Sequence, residues 1–291
     1  MRLKATRSKF LSSHELRVTK VDNYIEKHFA IYQNMLKKYN RFSDSPNLWD
    51  STFMYPSIAD MHLATLRKTY RLEKLVANND IDTAKNVMRW VHEALLFSDY
   101  AEYSGENIAI DILNFARSNR KTVNCAMHSI VLAEALLSLG ITSRSIQCLP
   151  LDPIDEDSHF INIAYIQDLK KWIALDPSFS TFFSDGDGKV MNLAELRNAY
   201  ICNRLPNINR FTRFLEIKEF TADWYIAYLA KNLFRFSCPK ATIFNREANV
   251  LYFLEPIGYR DDNTEERLNS TIRRYIGDSA FFWGGLSSHE D

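Results

Sequence analysis

Residues 123–149 read VNCAMHSIVLAEALLSLGITSRSIQCL. The apolar spacing predicts a helix over 123–139 with Asn124 near its start. Gly140 stands where a helix usually ends in a left-handed cap. The residues after it, 141–149, have the pattern of a strand. This stretch therefore predicts a helix that turns directly into a strand.

Residues 159–176, HFINIAYIQDLKKWIALD, extend the pattern. Their alternation predicts a strand over 159–166, a turn at 168–170 and a second strand over 172–175. Residues 150–158 form an acidic loop before the first of these strands. The order of helix, strand, loop, strand, turn and strand predicts an α+β fold in which the helix packs on an antiparallel sheet.

The flanking sequence predicts extra elements on both sides. We expect helix in residues 1–45, two helices in 58–97, with Asp82 or Thr83 capping the second, and short helices at 107–118 and 193–200. A helix at 222–234, strands at 241–244 and 250–254 and a final helix at 265–275 follow. We divide the chain into an N-terminal helical extension (1–57), a catalytic core (58–200) and a C-terminal α/β extension (201–291), packed as one compact unit.

Composition excludes several classes of protein. The 291 residues carry 36 basic and 36 acidic side chains, so no net charge favours nucleic acid or an anionic membrane as a partner. No apolar run is long enough to span a bilayer, and the first residues lack the apolar segment of a secretory signal. Four cysteines without Cys-x-x-Cys spacing do not predict zinc. We expect a cytoplasmic protein with free thiols, no metal and no cofactor.

Cys125 is the first candidate site residue. Its predicted place at a helix N-terminus favours the thiolate, because unpaired N–H groups and the positive end of the helix dipole stabilise negative charge there. The alternative is a small buried hydrophobic residue, which free cysteines often are. Position alone does not decide between the two.

His159 and Asp176 are the second and third candidates. His159 begins a predicted strand after a polar loop and is placed to act as a general base for the thiol, although a surface histidine would have the same pattern. If the two predicted strands form a hairpin, the end of the second lies beside the start of the first, which brings Asp176 near His159. A carboxylate there would orient the imidazole. An Asp that opens a turn before proline is the alternative.

A cysteine at a helix start, followed by His and Asp on adjacent antiparallel strands, is a papain-type arrangement. The chain resembles the transglutaminase-like superfamily, bacterial single-domain type, over about residues 60–200. The matching stretches are 124–129 (NCAMHS), 139–144 (LGITSR), 158–160 (SHF) and 171–177 (KWIALDP). The resemblance implies that Cys125 is the nucleophile, His159 the base and Asp176 the orienting acid. Phe160 departs from the family pattern, in which Trp or Val follows the histidine.

Four further residues are candidates for supporting roles. The Cys125 N–H is the natural first donor of an oxyanion hole, and Asn124, Asn107 or Trp90 could supply the second. We favour a core position for Trp90. His128 lies one helical turn after Cys125, and we favour a structural role over that of an alternative base.

Two acidic stretches have a functional and a simpler interpretation. The acidic residues of the 150–158 loop could hold a cation or attract an amine, although a solvated loop is the simpler reading. Residues 185–188, DGDG, lack the ligand pattern of an EF-hand and are better read as a turn.

These patterns lead to an enzyme that transfers an acyl group through a Cys125 thioester to an amine, forming an amide. The alternative acceptor is water, which gives a cysteine protease, amidase or deamidase. A catalytically inactive binding module is a third, weaker alternative. The expected partners are a peptide, protein or carrier-bound acyl substrate and an amine or water, with no nucleic acid and no membrane.

Overall fold

A computed structural model of the protein describes residues 27–48, 52–98, 103–118, 121–210, 221–242, 249–260 and 264–284. The α-helices in these ranges are α1 (27–38), α2 (Met61–Tyr70), α3 (Asp80–Ala94), α4 (Ala109–Arg117), α5 (Cys125–Ser138), α6 (Leu193–Ile201), α7 (Ala222–Asn232) and α8 (Ser279–Gly284). The strands are β1 (Leu96–Phe97), β2 (Thr122–Val123), β3 (Ser143–Leu149), β4 (His159–Ile166), β5 (Lys171–Asp176), β6 (Thr181–Ser184), β7 (Asn207–Arg210), β8 (Arg235–Pro239), β9 (Val250–Leu254), β10 (Glu265–Leu268) and β11 (Thr271–Tyr275).

Nine of these strands form one sheet in the order β10-β11-β9-β8-β3-β4-β5-β6-β7. All neighbours are antiparallel except β11 and β9. The short strands β1 and β2 pair in parallel beside it. The α+β prediction, with a helix packed on a largely antiparallel sheet, is confirmed.

Alternate residues of β4 face the two sides of the sheet. Ala164 and Ile166 belong to a core formed with α3, α4 and α5. Ile161 and Ile163 belong to a second core, formed with α6, α7 and β8. Because strand side chains alternate, His159 projects toward the second side, the one covered by α7. Asp176, two residues after Ala174 of this second core, projects the same way.

Local sequence sets both ends of α5. The Asn124 side chain accepts a hydrogen bond from the Met127 N–H at 3.1 Å and caps the helix. Gly140 has φ +84°, a conformation that other residues rarely adopt, and terminates the helix as predicted. The chain can therefore turn at once into β3.

The C-terminal region contains a wrong prediction. Residues 265–275 are not a helix but the antiparallel pair β10 and β11, joined through Asn269 at φ +55°. Glu265 lies opposite Arg274, whose Nε donates to it at 2.9 Å, and β11 also pairs with β9. Pairing at the sheet edge overrides the helical tendency of a sequence rich in Glu and Arg.

Smaller differences concern the ends of elements. Asn79, rather than Asp82 or Thr83, caps α3 through the Asp82 N–H. Of the strand predicted at 241–244, Ala241 forms only an isolated bridge with Met54, β8 ends before it at Pro239, and residues 243–244 lie outside the described residues. Residues 39–45 are not helical, and residues 1–26 of the predicted first helix lie outside the described residues.

The C-terminal region shares the sheet with the predicted core. β7 pairs with β6, and β8 pairs with β3. Within the described ranges, no helix has both the length and the apolarity needed to cross a membrane. The same ranges contain no group of three or more His, Cys, Asp or Glu residues arranged to hold a metal ion.

Candidate active site

Cys125 is the first residue of α5, and its side chain is partly exposed. The parallel pairing of Phe97 with Val123 fixes the chain just before it. The first N–H groups of an α-helix have no acceptor within the helix, so the N–H of Cys125, the first residue of α5, has no acceptor in α5. Partial exposure leaves the sulfur open to a substrate.

His159 and Asp176 form a buried pair. His159 Nε2 lies 2.6 Å from Asp176 Oδ2, and their side chains are 2% and 0% exposed. The antiparallel register of β4 and β5, in which Asn162 lies opposite Leu175, brings the start of one strand to the end of the other.

The Asp176 carboxylate accepts hydrogen bonds on both oxygens. Oδ1 accepts from the backbone N–H groups of Ser178 at 3.0 Å and Phe179 at 3.3 Å. Oδ2 accepts from His159 and also from the Tyr225 hydroxyl. These four donors suit an ionised carboxylate, whose oxygens only accept. In a neutral carboxyl group, the acid proton would point at one of the four donors.

Cys125 completes the contact with the imidazole. Burial lowers the pKa of His159, but the charge of Asp176, its hydrogen bond and a hydrogen bond with Cys125 together raise that pKa to about 10. Since Nε2 is bonded to Asp176, the ring nitrogen left for Cys125 is Nδ1. The site can therefore hold an imidazolium between a carboxylate and a sulfur.

Aromatic rings enclose the imidazole. The ring centroids of Phe179 and Tyr228 each lie 5.5 Å from that of His159. Trp224 stacks on Tyr228 at 4.9 Å and contacts Phe179. These rings shield the His159–Asp176 bond from water, which strengthens its electrostatic interaction.

Comparison with known proteins identifies the part of the chain that carries this site. Residues 71–177 match the model of the transglutaminase-like superfamily. The match covers less than half of the chain, and this segment is similar to a transglutaminase-like core. The match runs from the end of α2 to the residue after Asp176, so it includes Cys125 and His159.

Other comparisons are more distant. A crystal structure of a protein from Cytophaga hutchinsonii, described as a candidate cysteine protease, is 16% identical with a TM-score of 0.33. The similarity covers 54% of this chain and 49% of that chain, about half the length of each. No curated protein sequence matches the chain.

Helix α7 lies outside the match to the transglutaminase-like core, yet it reaches the site. Tyr225 bonds to Asp176, and Tyr228 contacts the ring of His159. The sequence alone predicts only a helix at α7 and no functional role for it. The signal that could have identified it is the spacing of Tyr225, Tyr228 and Lys231, three residues apart on one helical face.

The acidic loop is also bound by α7. Lys231 Nζ lies 2.7 Å from Asp155 Oδ2 and 2.9 Å from Asp157 Oδ2, and it also donates to the Asp157 carbonyl. The Tyr228 hydroxyl is 3.3 Å from Asp157 Oδ1. The loop is therefore not simply solvated: part of its charge is balanced by a lysine of the same chain. Asp152 and Glu156 are its other acidic residues.

A histidine that the sequence analysis did not consider supports the turn after Asp176. His92 Nδ1, on α3, lies 3.2 Å from the Pro177 carbonyl and 3.1 Å from the Ser178 carbonyl. Because carbonyl oxygens only accept, Nδ1 carries the proton. This contact holds the turn whose N–H groups bind Asp176 Oδ1.

The surroundings of His128 do not suit a base. Its side chain is buried, and Nδ1 lies 3.0 Å from the Asn124 carbonyl one turn earlier. Burial lowers the pKa of His128 to about 4, so the ring is neutral near pH 7. The Asn124 side-chain oxygen is occupied as the helix cap.

Trp90 and Asn107 are the other candidates for the second oxyanion donor. Trp90 packs at the edge of the core beside α5, with its ring 5.7 Å from that of Tyr70. The side chain of Asn107 is exposed. The second oxyanion donor stays unassigned.

Proposed function

We propose that the chain is a cysteine-dependent acyl transferase with Cys125 as nucleophile, His159 as base and Asp176 as orienting acid. The observation that carries this proposal is the buried 2.6 Å contact between His159 Nε2 and Asp176 Oδ2, with Cys125 near enough to the same imidazole to raise its pKa. The position of Cys125 at the start of α5 and the family of residues 71–177 support the same conclusion.

In the first half-reaction, the Cys125 proton moves to the imidazole and the sulfur attacks a carbonyl carbon. The oxyanion that forms accepts a hydrogen bond from the Cys125 N–H. The bond between the acyl carbon and its leaving group then breaks. The His159 imidazolium donates its proton to the departing amine or thiol, and a thioester on Cys125 remains.

In the second half-reaction, an amine attacks the thioester. The neutral imidazole accepts a proton from the amine nitrogen, the carbon–sulfur bond breaks, and an amide is released. The sulfur leaves as thiolate beside the reformed imidazolium. Asp176 remains ionised throughout and holds the imidazole in position.

Two features favour an amine over water as the acceptor. The rings of Phe179 and Tyr228 pack against the imidazole, whose side chain is 2% exposed, and this limits the water near the base. The loop before His159 carries Asp152 and Glu156 in addition to the acids bound by Lys231, and this negative charge favours the approach of a protonated amine.

The test is acylation followed by partitioning. Wild-type protein is incubated with phenyl thioacetate, and intact-protein and peptide mass spectrometry locate the acetyl group. We expect one acetyl group on Cys125, loss of it in Cys125→Ala, and its retention in Cys202→Ala, in which an exposed cysteine is removed. Failure of wild type to acylate at Cys125 would overturn the proposal.

Partitioning is then measured with butylamine. We expect N-butylacetamide to increase with amine concentration while free acetate decreases, because both acceptors compete for one thioester. Release of acetate alone, whatever the amine concentration, would overturn the amine acceptor while leaving the Cys125 thioester intact.

A further inference from the structure

Two donors from distant parts of the chain meet on one oxygen of Asp176. His159 Nε2 lies 2.6 Å from Oδ2, and the Tyr225 hydroxyl donates to the same atom. Tyr225 is fully buried and lies 49 residues after Asp176, on α7. The family match ends at residue 177, so this contact comes from outside the matched segment.

We propose that Tyr225 is a positioning residue that sets the protonation balance of the Cys125–His159 pair through Asp176. The proposal rests on the function proposed above. It assigns the C-terminal region a part in the chemistry of the site.

The geometry of the carboxylate makes this role specific. Oδ1 is held by the N–H groups of Ser178 and Phe179, so the carboxylate cannot rotate without losing both bonds. Oδ2 is therefore fixed toward His159 and Tyr225. A hydrogen bond from Tyr225 withdraws charge from Oδ2 and stabilises the buried anion.

Without this donor, Oδ2 keeps more negative charge toward His159. The imidazolium is then held more tightly, because the charge of Asp176 and its hydrogen bond favour the protonated ring. A more stable imidazolium beside the sulfur favours the thiolate of Cys125, but it gives up its proton to a leaving group less readily. The loss of one distant hydroxyl therefore shifts the balance of the ion pair and slows turnover.

Tyr225 acts as a fixed donor and does not titrate near neutral pH. Burial first, and then the negative charge of Asp176, raise the pKa of Tyr225 well above its ordinary value. Tyr200 on α6 and Arg210 on β7 also face its ring, with opposite effects on that pKa. The hydroxyl keeps its proton wherever the protein is folded and active.

The decisive variant is Tyr225→Phe, which keeps the ring between Phe179 and Phe183 and removes only the hydroxyl. Tyr200→Phe is the matched control. Tyr200 is equally buried, and its hydroxyl donates to the Ile226 carbonyl of the same helix at 3.0 Å. Each variant removes one buried phenol hydroxyl near α7, but only Tyr225→Phe removes the hydrogen bond to Asp176.

The measurement is the rate of Cys125 alkylation by iodoacetamide against pH, using the full chain and mass spectrometry of the Cys125 peptide. We expect the pH midpoint of Tyr225→Phe to move downward by about one unit, since the lost bond is to a charged group whose negative charge favours the imidazolium. Turnover of phenyl thioacetate should show kcat about tenfold lower with little change in KM. Tyr200→Phe should keep the wild-type midpoint.

A second variant covers the case in which Tyr225→Phe does not fold. A fluorotyrosine introduced only at position 225 keeps the ring and the hydroxyl but donates more strongly, so the midpoint should move upward. Identical midpoints in wild type and in either folded variant would overturn the role of Tyr225. Alkylation of wild-type Cys125 with the pH dependence of exposed Cys202 would instead overturn the ion pair and, with it, the proposed function.

Discussion

Lys231 Nζ lies 2.9 Å from Asp157 Oδ2, and this contact ties α7 to the loop that leads into His159. The lysine is almost completely buried, whereas Asp155 and Asp157 are about one third exposed. Asp157 is only two residues before His159, so the contact fixes the chain where β4 begins. The loop and the imidazole should therefore respond together to a change at Lys231.

We expect Lys231→Met to lower kcat/KM about tenfold and the free energy of unfolding by about 1–2 kcal/mol. Removing the cation leaves two partly solvated carboxylates without their partner, which is less severe than the fully buried case. Steady-state turnover and urea unfolding measure the two effects. Lys74→Met, at an exposed position, is the control and should change neither. Wild-type kcat/KM in Lys231→Met would show that the loop does not need this contact.

We expect His159→Ala to reduce turnover by about 10²–10⁴-fold, because it removes the base proposed for the Cys125 proton. Folding should be retained, as judged by circular dichroism. Single-turnover acylation by phenyl thioacetate measures the effect, with Cys125→Ala as the inactive reference. A near-wild-type rate would contradict the assignment of the base, and His128 would be the residue to examine next.

Activity should fall at alkaline pH, and this decrease is the basic limb of the pH profile. Because the pKa of His159 is raised to about 10, the imidazolium persists through neutral pH and is lost as pH rises through that value. The stabilisation that the ion pair gives the fold is complete below pH 6.5 and disappears over the same range. Activity should also fall on acidification, as the Cys125–His159 pair takes up a proton. A flat profile from neutral pH to above pH 10 would contradict the ion pair.

Asp176→Asn tests the cause of that limb. The amide removes the charge that raises the pKa of His159, so the basic limb should move to lower pH, and residual activity should remain because nucleophile and base persist. Asp168→Asn, outside the site, should leave the limb in place. An unchanged basic limb in Asp176→Asn would assign the raised pKa to another group.

Glu134 provides a prediction independent of the site. It lies in the middle of α5, is buried, and accepts the Ala109 N–H at 3.0 Å, which caps α4. Burial, and to a lesser extent the charges of Asp60 and Asp111, raise the pKa of Glu134 from 4.5 to about 8.

Between pH 4.5 and 8 the unfolded chain has lost the Glu134 proton and the folded chain has kept it. The free energy of unfolding therefore falls with rising pH over this window, by on the order of a few kcal/mol. Glu134→Gln keeps an acceptor for Ala109 and should remove this dependence, whereas exposed Glu93→Gln should not. Urea unfolding at a series of pH values gives the comparison. Parallel curves for wild type and Glu134→Gln would contradict the assignment.

The sequence by itself determined the features that depend on neighbouring residues. Asn124 and Gly140 set the ends of α5, because a cap and a positive φ act within one turn. Alternation and a short turn predicted β4 and β5, and their hairpin brought His159 near Asp176 without further information.

Only the tertiary structure decided what surrounds that pair. Tyr225 and Lys231 reach Asp176 and Asp157 from 49 and 74 residues away, and no local pattern indicates which helix covers which face of a sheet. Residues 265–275 show the same limit, since a helical sequence became two strands where β9 offered an unpaired edge. Short-range hydrogen bonds follow from adjacent residues, whereas contacts between distant segments depend on topology and burial that the whole chain sets together.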